Sequence, residues 1–300
     1  MERCQGHVKR ELYVALAAVA IAGALFGFVG AGAAGASTLP TAFYLDIGGS
    51  DSIGYQPTPA SAHGQRTDSG YANFLVAHEG ARGVTLELDE SGCAGETTSS
   101  MLTGGDSCYL PPDSQLLEAV MFLSAHQDES GLVTVDLGFN DLLRCFQGYR
   151  INAKCVDQRL QLVRAQLPQI LTALKSVAGP DVIIVGVGHY DPYLADALQG
   201  GTGEAFADQS YGVVKRLDKV LADVYGANGI PVADVGAAFN IDNTSQVTLA
   251  NVGTVPDNLA EVCLLTWMCP PTPYGPNMHP NDAGYEAIAD SIAAQLPTPW

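Results

Sequence analysis

The chain has 300 residues, and its 32 acidic against 14 basic side chains give a formal net charge of −18. A surface this acidic repels nucleic acid and anionic membranes, which disfavours functions that depend on binding either of them. The length is within the range of one α/β domain and is ample for a large core.

The N-terminal segment has the features of a secretory signal peptide. Arg3, Lys9 and Arg10 precede an apolar run over 12–29, and the small residues Ala34-Gly35-Ala36 follow it. The alternative is a retained membrane anchor, but the Gly and Ala residues within the run favour a cleaved signal. We therefore expect residues 1–36 to be removed, residues 37–300 to form one domain, and the protein to be secreted without stable membrane insertion.

Five short apolar runs predict buried parallel strands over 42–47, 83–88, 132–137, 182–187 and 230–235. Stretches with helical periodicity cover 71–78, 115–125, 156–177, 206–225 and 283–294. This alternation predicts an α/β fold in which a five-stranded parallel sheet has helices on both faces, a three-layer α/β/α sandwich. Ligands in such sheets bind beyond the carboxyl ends of the strands. The long loops 97–113 and 240–280 are expected to form the walls of that cleft.

Four segments carry most of the functional information. In chain order they are Gly48-Gly49-Ser50-Asp51-Ser52-Ile53-Gly54-Tyr55, Gly95-Glu96-Thr97, Gly138-Phe139-Asn140-Asp141 and His279-Pro280-Asn281. Each of them closes or follows a predicted strand or opens a helix. In this order and spacing they resemble the GDSL (SGNH) hydrolase family over about residues 44–288. The resemblance implies a flavodoxin-like fold and a serine ester hydrolase that needs no metal or organic cofactor.

Ser50 is the candidate nucleophile. It lies between a predicted strand and a predicted helix start, so its backbone N–H and the helix dipole point to where negative charge develops. Its spacing to Gly54 also matches the family segment, and the spacing of Ser52 does not. Two alternatives stay open: Ser52 is the nucleophile, or both hydroxyls only cap a helix.

The resemblance assigns the other three segments to the oxyanion and the base. It implies that the Gly95 backbone N–H and the Asn140 side-chain amide donate to the oxyanion. On their own, Gly95 would be an ordinary turn and Asn140 a helix N-cap. His279 is the candidate general base, which takes the serine proton and returns it to the leaving alcohol. His189, after the fourth strand, is a weaker candidate that we assign to the wall of the cleft.

The sequence departs from the family pattern at two positions. Gly49 stands where the family has Asp, and Pro276 stands where it has the acid of the triad. Because proline has no side-chain acceptor, we expect the Pro276 carbonyl to orient His279 Nδ1, as in family members that use a Ser–His dyad. Asp282 is close in sequence but is expected to open the last helix and to face away.

Six cysteines remain after the signal, and their short local gaps suggest three bridges between sequence neighbours, although 15 pairings are formally available. The sequence contains no C-x-x-C motif, so the cysteines do not indicate a zinc site. Secreted lipases and esterases of the family carry three sequential disulfides, which favours the pairs 93–108, 145–155 and 263–269.

The sequence therefore predicts a monomeric, secreted esterase or lipase that acts on a small-molecule or lipid ester through an acyl-Ser50 intermediate. Alternatives of the same fold are a polysaccharide deacetylase and an acyltransferase. An alternative of another class is a non-catalytic carbohydrate- or envelope-binding module. The sequence contains no Gly-x-Ser-x-Gly elbow, phosphate loop or dinucleotide fingerprint.

Overall fold

A parallel five-stranded sheet forms the centre of the computed structural model, which describes residues 40–298. In chain order its strands are β1 (Thr41–Gly48), β4 (Thr85–Glu90), β5 (Gly131–Asp136), β6 (Val182–Val187) and β7 (Val232–Ala233). Their spatial order is β4-β1-β5-β6-β7, and every neighbouring pair is parallel. Two antiparallel hairpins lie outside this sheet, β2–β3 (Gln56–Thr58, Ser61–Gln65) and β8–β9 (Gln246–Leu249, Gly253–Pro256).

Alternate side chains of the central strand pack against different helical layers. Phe43, Leu45 and Ile47 of β1 belong to one apolar cluster, and Ala42 and Tyr44 belong to the other. Because successive side chains of a strand point to opposite faces, both faces of β1 are buried, as a central parallel strand requires.

Three long helices cover the first face: α3 (Gln115–Ala125), α5 (Ala153–Val177) and α6 (Gly201–Ala227). In α5 the buried residues recur every three or four positions, which gives the helix one apolar side facing the sheet. The second face is covered by α1 (Tyr71–Ala81) and α9 (Asp282–Ala293). The three-layer α/β/α prediction is therefore confirmed.

Short helices occupy the connections at the carboxyl edge of the sheet. They are α2 (Thr98–Thr103), α4 (Phe139–Leu143), α7 (Val235–Ala238) and α8 (Asp257–Leu265), with 3-10 turns at Asp51–Ile53 and Pro192–Gln199. The predicted strand over 230–235 is reduced to two residues, because the Asp234 carboxylate accepts the Ala237 N–H and starts α7 there. The predicted loop over 240–280 contains the β8–β9 hairpin and α8.

The three disulfides link 93–108, 145–155 and 263–269, so the predicted pairing is confirmed. Among residues 40–298, no helix is long and apolar enough to span a membrane. The predicted signal peptide, its cleavage site and the start of the domain at residue 37 lie outside the described residues.

Candidate active site

Ser50 lies in the tight turn after β1. The strand ends at Gly48, whose φ is +147°, and a Cβ there would lie 2.3 Å from the Asp136 carbonyl oxygen. Only glycine fits this close approach. Gln115, the first residue of α3, holds the turn: its Oε1 accepts the Gly48 N–H at 2.7 Å and its Nε2 donates to the Gly48 carbonyl at 3.2 Å. The sequence analysis missed Gln115, because a glutamine at the start of a helix carries no functional signal.

His279 contacts the hydroxyl of Ser50. Its Nε2 lies 3.0 Å from Ser50 Oγ, within hydrogen-bond distance. The loop between α8 and α9 carries the histidine, and the Trp267 N–H fixes this loop by donating to the His279 carbonyl at 3.0 Å. The Tyr55 ring packs on the imidazole with a centroid distance of 4.8 Å. Burial lowers the pKa of His279 to about 4, so the imidazole is neutral at pH 7 and able to accept a proton.

The hydrogen-bond partner of His279 Nδ1 differs from the expected one. Nδ1 lies 2.7 Å from Oδ1 of the Asn277 side chain, not against the Pro276 carbonyl. The same Oδ1 accepts the backbone N–H of His279 at 3.1 Å. An asparagine side chain readily bonds to the backbone two residues further on, and this turn brings its amide to the ring. The expectation that Pro276 orients the base is therefore corrected: the acceptor is Asn277.

The carboxylates of Asp282 and Asp191 bind other groups of the chain. Asp282 opens α9 and its Oδ1 accepts Gln56 Nε2 at 2.9 Å, so it faces away from the base as expected. Asp191 accepts the Tyr193 N–H at 3.0 Å and the Ser210 hydroxyl at 2.8 Å.

Ser52 is not placed for nucleophilic attack. Its side chain is fully buried, and its Oγ donates to the Gly49 carbonyl at 2.8 Å. This hydroxyl therefore closes the turn around Ser50, and the base contacts Ser50.

Asn140 lines the same cleft as Ser50 and His279. It is the second residue of α4, whose N-cap is Gly138, so it does not cap that helix. A Cβ on Gly49 would lie 2.7 Å from Asn140 Nδ2, which places the amide against the backbone that leads into Ser50. An amide donor at this position suits an oxyanion that forms on a substrate bound to Ser50.

Gly95 is not among the residues that line this cleft, but its segment is tied to the nucleophile turn on both sides. The Cys93 N–H donates to the Gly48 carbonyl at 3.0 Å. Gln115 Nε2, which also bonds Gly48, donates to Glu96 Oε2 at 3.0 Å. Gly95 has a φ of +86°, and a Cβ added there would meet no atom within 4 Å.

The cleft contains two carboxyl groups that the sequence analysis did not single out, Asp51 and Asp136. Burial raises the pKa of both, and the charge of Asp136 raises that of Asp51 further. His189 completes this wall: its Nε2 lies 3.2 Å from the Leu137 carbonyl and its Nδ1 lies 3.8 Å from Asp136 Oδ1. His189 thus packs in the wall of the cleft, and the contact with Ser50 belongs to His279.

Comparisons with known proteins agree with this architecture. The model of the GDSL-like lipase/acylhydrolase family matches residues 47–287, well over half of the chain. The chain is similar in structure to the extracellular lipase of Streptomyces rimosus, with a TM-score of 0.53 and 20% identity over 84% of this chain and 99% of that one. It is also similar to phospholipase A1 of Streptomyces albidoflavus NA297, with a TM-score of 0.53 and 18% identity over 85% of this chain and 99% of that one.

At such identities the structural likeness concerns the fold, and no curated protein matches the chain by sequence. The match to the family model covers the turn that carries Ser50 and the loop that carries His279. The chain belongs to the GDSL-like lipase/acylhydrolase family and is a carboxylic ester hydrolase of the lipase and esterase type.

Proposed function

We propose that the protein is a secreted serine esterase that cleaves carboxylic esters through an acyl-Ser50 intermediate. The observation that carries this proposal is the 3.0 Å contact between His279 Nε2 and Ser50 Oγ, in a cleft that Asn140 also lines. A neutral imidazole at hydrogen-bond distance from a serine hydroxyl is the arrangement that activates a nucleophile.

The proposal assigns each step of the reaction to a group of this site. Ser50 Oγ attacks the ester carbonyl carbon while its proton passes to His279 Nε2. The negative charge on the carbonyl oxygen is stabilised by the Ser50 backbone N–H and the Asn140 amide. The family resemblance adds the Gly95 backbone N–H, whose segment is bonded to the nucleophile turn although Gly95 does not line the cleft. His279 then returns the proton to the leaving alcohol as the C–O bond breaks. Water attacks the acyl-enzyme by the same route, so that the carboxylic acid leaves and Ser50 is regenerated.

The proposed substrate is a small-molecule or lipid ester, and the proposed location is extracellular. The three disulfides support export, because such bonds persist in oxidising compartments. The Streptomyces rimosus neighbour is described as an extracellular lipase. All the proposed catalytic groups come from one chain, which suits an enzyme that acts as a monomer.

Hydrolysis of p-nitrophenyl esters of increasing acyl length tests the proposal, with Ser50→Ala and Ser52→Ala as a matched pair. We expect Ser50→Ala to abolish turnover and Ser52→Ala to retain it. A fluorophosphonate should label wild-type protein on the peptide that contains Ser50. A label on Ser52, or full activity of Ser50→Ala, would refute the assignment.

A further inference from the structure

The loop that carries His279 contains an acceptor for which the family pattern has no counterpart, the amide of Asn277. We propose that Asn277 takes the place of the triad acid as a positioning residue: its Oδ1 holds the Nδ1–H of His279 and thereby turns Nε2 towards Ser50. This inference rests on the proposed function, because it assigns a role in the proton transfer of that reaction.

The neighbours of Asn277 determine which end of its amide faces the base. Oδ1 lies 3.1 Å from the backbone N–H of His279, which can only donate. Nδ2 lies 3.1 Å from the His63 carbonyl, which can only accept. Rotating the amide by 180° would lose both bonds. Nδ1, at 2.7 Å from Oδ1, therefore carries the proton, and Nε2 has a free lone pair for the Ser50 hydroxyl.

The backbone of Asn277 is also fixed in place. Its N–H donates to the Trp267 carbonyl at 2.9 Å, and the Trp267 indole N–H donates to Gln56 Oε1 at 3.1 Å. Gln56 begins the β2–β3 hairpin, and His63, which accepts from the Asn277 amide, lies in β3. This hairpin follows the turn of Ser50 directly, so the orienting amide is tied to the nucleophile segment as well as to the base.

The proposed triad is neutral at its third position, and this determines the charge on the base. The titratable side chains that line the cleft with His279 are Asp51, Asp136, His189 and Tyr190, and the Tyr55 ring packs on the imidazole. Burial raises the pKa of Asp51 and of Asp136, which disfavours a negative charge on either carboxyl beside the base. Burial lowers the pKa of His279 to about 4, and an amide supplies no charge to raise it.

The pH dependence of kcat/KM in the full-length enzyme separates a positioning role from a merely structural one. Wild type should lose activity with falling pH only near pH 4. Asn277→Asp keeps the acceptor and gives it a negative charge, which should raise the pKa of His279. The acid limb should therefore move up by about one to three pH units, while turnover at pH 8 is retained. Asn277→Ala should lower kcat by about 10²-fold, with a small change in KM and no upward shift of the limb.

The matched control is Asn281→Ala, which removes an asparagine two residues after the base. Asn281 caps α9 by accepting the Gly284 N–H at 3.1 Å, and its Nδ2 donates to the Leu264 carbonyl at 2.8 Å. Its loss should therefore lower Tm and leave the pH profile in place. An unchanged acid limb in Asn277→Asp, or wild-type kcat in Asn277→Ala, overturns the inference. If Asn277→Ala does not fold, the Asn277→Asp profile decides alone. Failure of the proposed function has a different readout, since it would appear as activity in Ser50→Ala.

Discussion

At the scale of single residues, Ser50 and His279 are 229 positions apart in the chain, and their contact depends on backbone that allows close approach. Gly48 and Gly49 provide this backbone, because neither residue has a side chain. Side chains at these positions would meet the Asp136 carbonyl at 2.3 Å and Asn140 Nδ2 at 2.7 Å, respectively. In this chain the Asn140 amide lies where a side chain at position 49 would begin.

Gly49→Ala should therefore weaken catalysis without unfolding the protein. The added methyl group would push the Asn140 amide away from the nucleophile turn, and a displaced oxyanion donor should lower kcat by about 10-fold or more. Gly80→Ala is the control: a Cβ at this position of α1 would meet no atom within 4 Å, and alanine stabilises a helix relative to glycine. Equal kcat in the two variants would contradict this account.

Asn140→Ala tests the donor itself. Loss of one oxyanion donor should lower kcat by about two to three orders of magnitude. Because the side chain does not cap α4, Tm should change little. Steady-state kinetics and thermal denaturation on the same preparation check both statements. A variant that unfolds while its folded fraction keeps full activity would make Asn140 a structural residue.

The sequence allowed prediction of the two side chains that meet in the candidate site, and it failed for the residues that bond to them. Ser50 and His279 come together as their segments predicted. Asn277 was missed because the segment was compared at the position of the family's acid, three residues before the base, and the acceptor lies two residues before it. Asp51 and Asp136 were missed because each is an ordinary residue of a turn or strand until the fold brings both into one cleft.

At the scale of elements, the predictions were best where apolar periodicity decides the structure. Strand β6 and helix α3 have the predicted bounds, and the other long helices differ only at their ends. Strand β4 begins later than predicted because Gly83, with φ +91°, still belongs to the turn after α1. The hairpin strands, of three to five residues, and α8, of nine, were missed because elements this short give little periodicity.

The disulfide between Cys93 and Cys108 should stabilise the loop beside the active site more than it stabilises the central sheet. It closes a loop of 15 residues and adjoins the Gly95 segment, and such a loop contributes about 3 kcal/mol in the chain-entropy model. The double variant Cys93→Ala/Cys108→Ala should lose kcat at temperatures where its far-UV circular dichroism remains native. The matched comparison is Cys145→Ala/Cys155→Ala, whose bridge lies beyond α4. Loss of the dichroism signal together with activity would mean that the first bridge supports the whole fold.

At the scale of the whole molecule, several carboxyl groups are buried, and burial disfavours their ionised form. Burial is the main cause of a raised pKa at Asp46, Glu96, Asp136, Asp141, Asp191 and Asp218. The raised pKa is about 8 for Glu96, about 7 for Asp191 and about 6 for Asp218. The folded chain therefore keeps protons that the unfolded chain releases near pH 4. The net charge of −18 adds self-repulsion in the same direction.

The sign of the linkage follows from these groups. Between about pH 4 and pH 8 the folded state binds more protons than the unfolded state, so the free energy of unfolding should decrease as pH rises. The buried, neutral His279 acts in the opposite direction, but only between its folded pKa of about 4 and its ordinary value near 6.5, and it is one group against several. A net loss of about 2 kcal/mol would lower Tm by about 4 to 8 °C.

Calorimetric scans at pH 5 and pH 8, at constant ionic strength, should therefore give the higher Tm at pH 5. Glu96→Gln should reduce the difference, because the amide has no proton to lose as pH rises. Its oxygen can still accept from Gln115 Nε2, while its NH2 group replaces the oxygen that accepts the Ser100 hydroxyl. Asp223→Asn is the matched control, since Asp223 lies at the surface between Lys219 and Arg164, and its lowered pKa keeps it ionised at both pH values. A Tm that increases from pH 5 to pH 8, or a Glu96→Gln variant with an unchanged difference, would show that the buried carboxyl groups do not govern the stability of this fold.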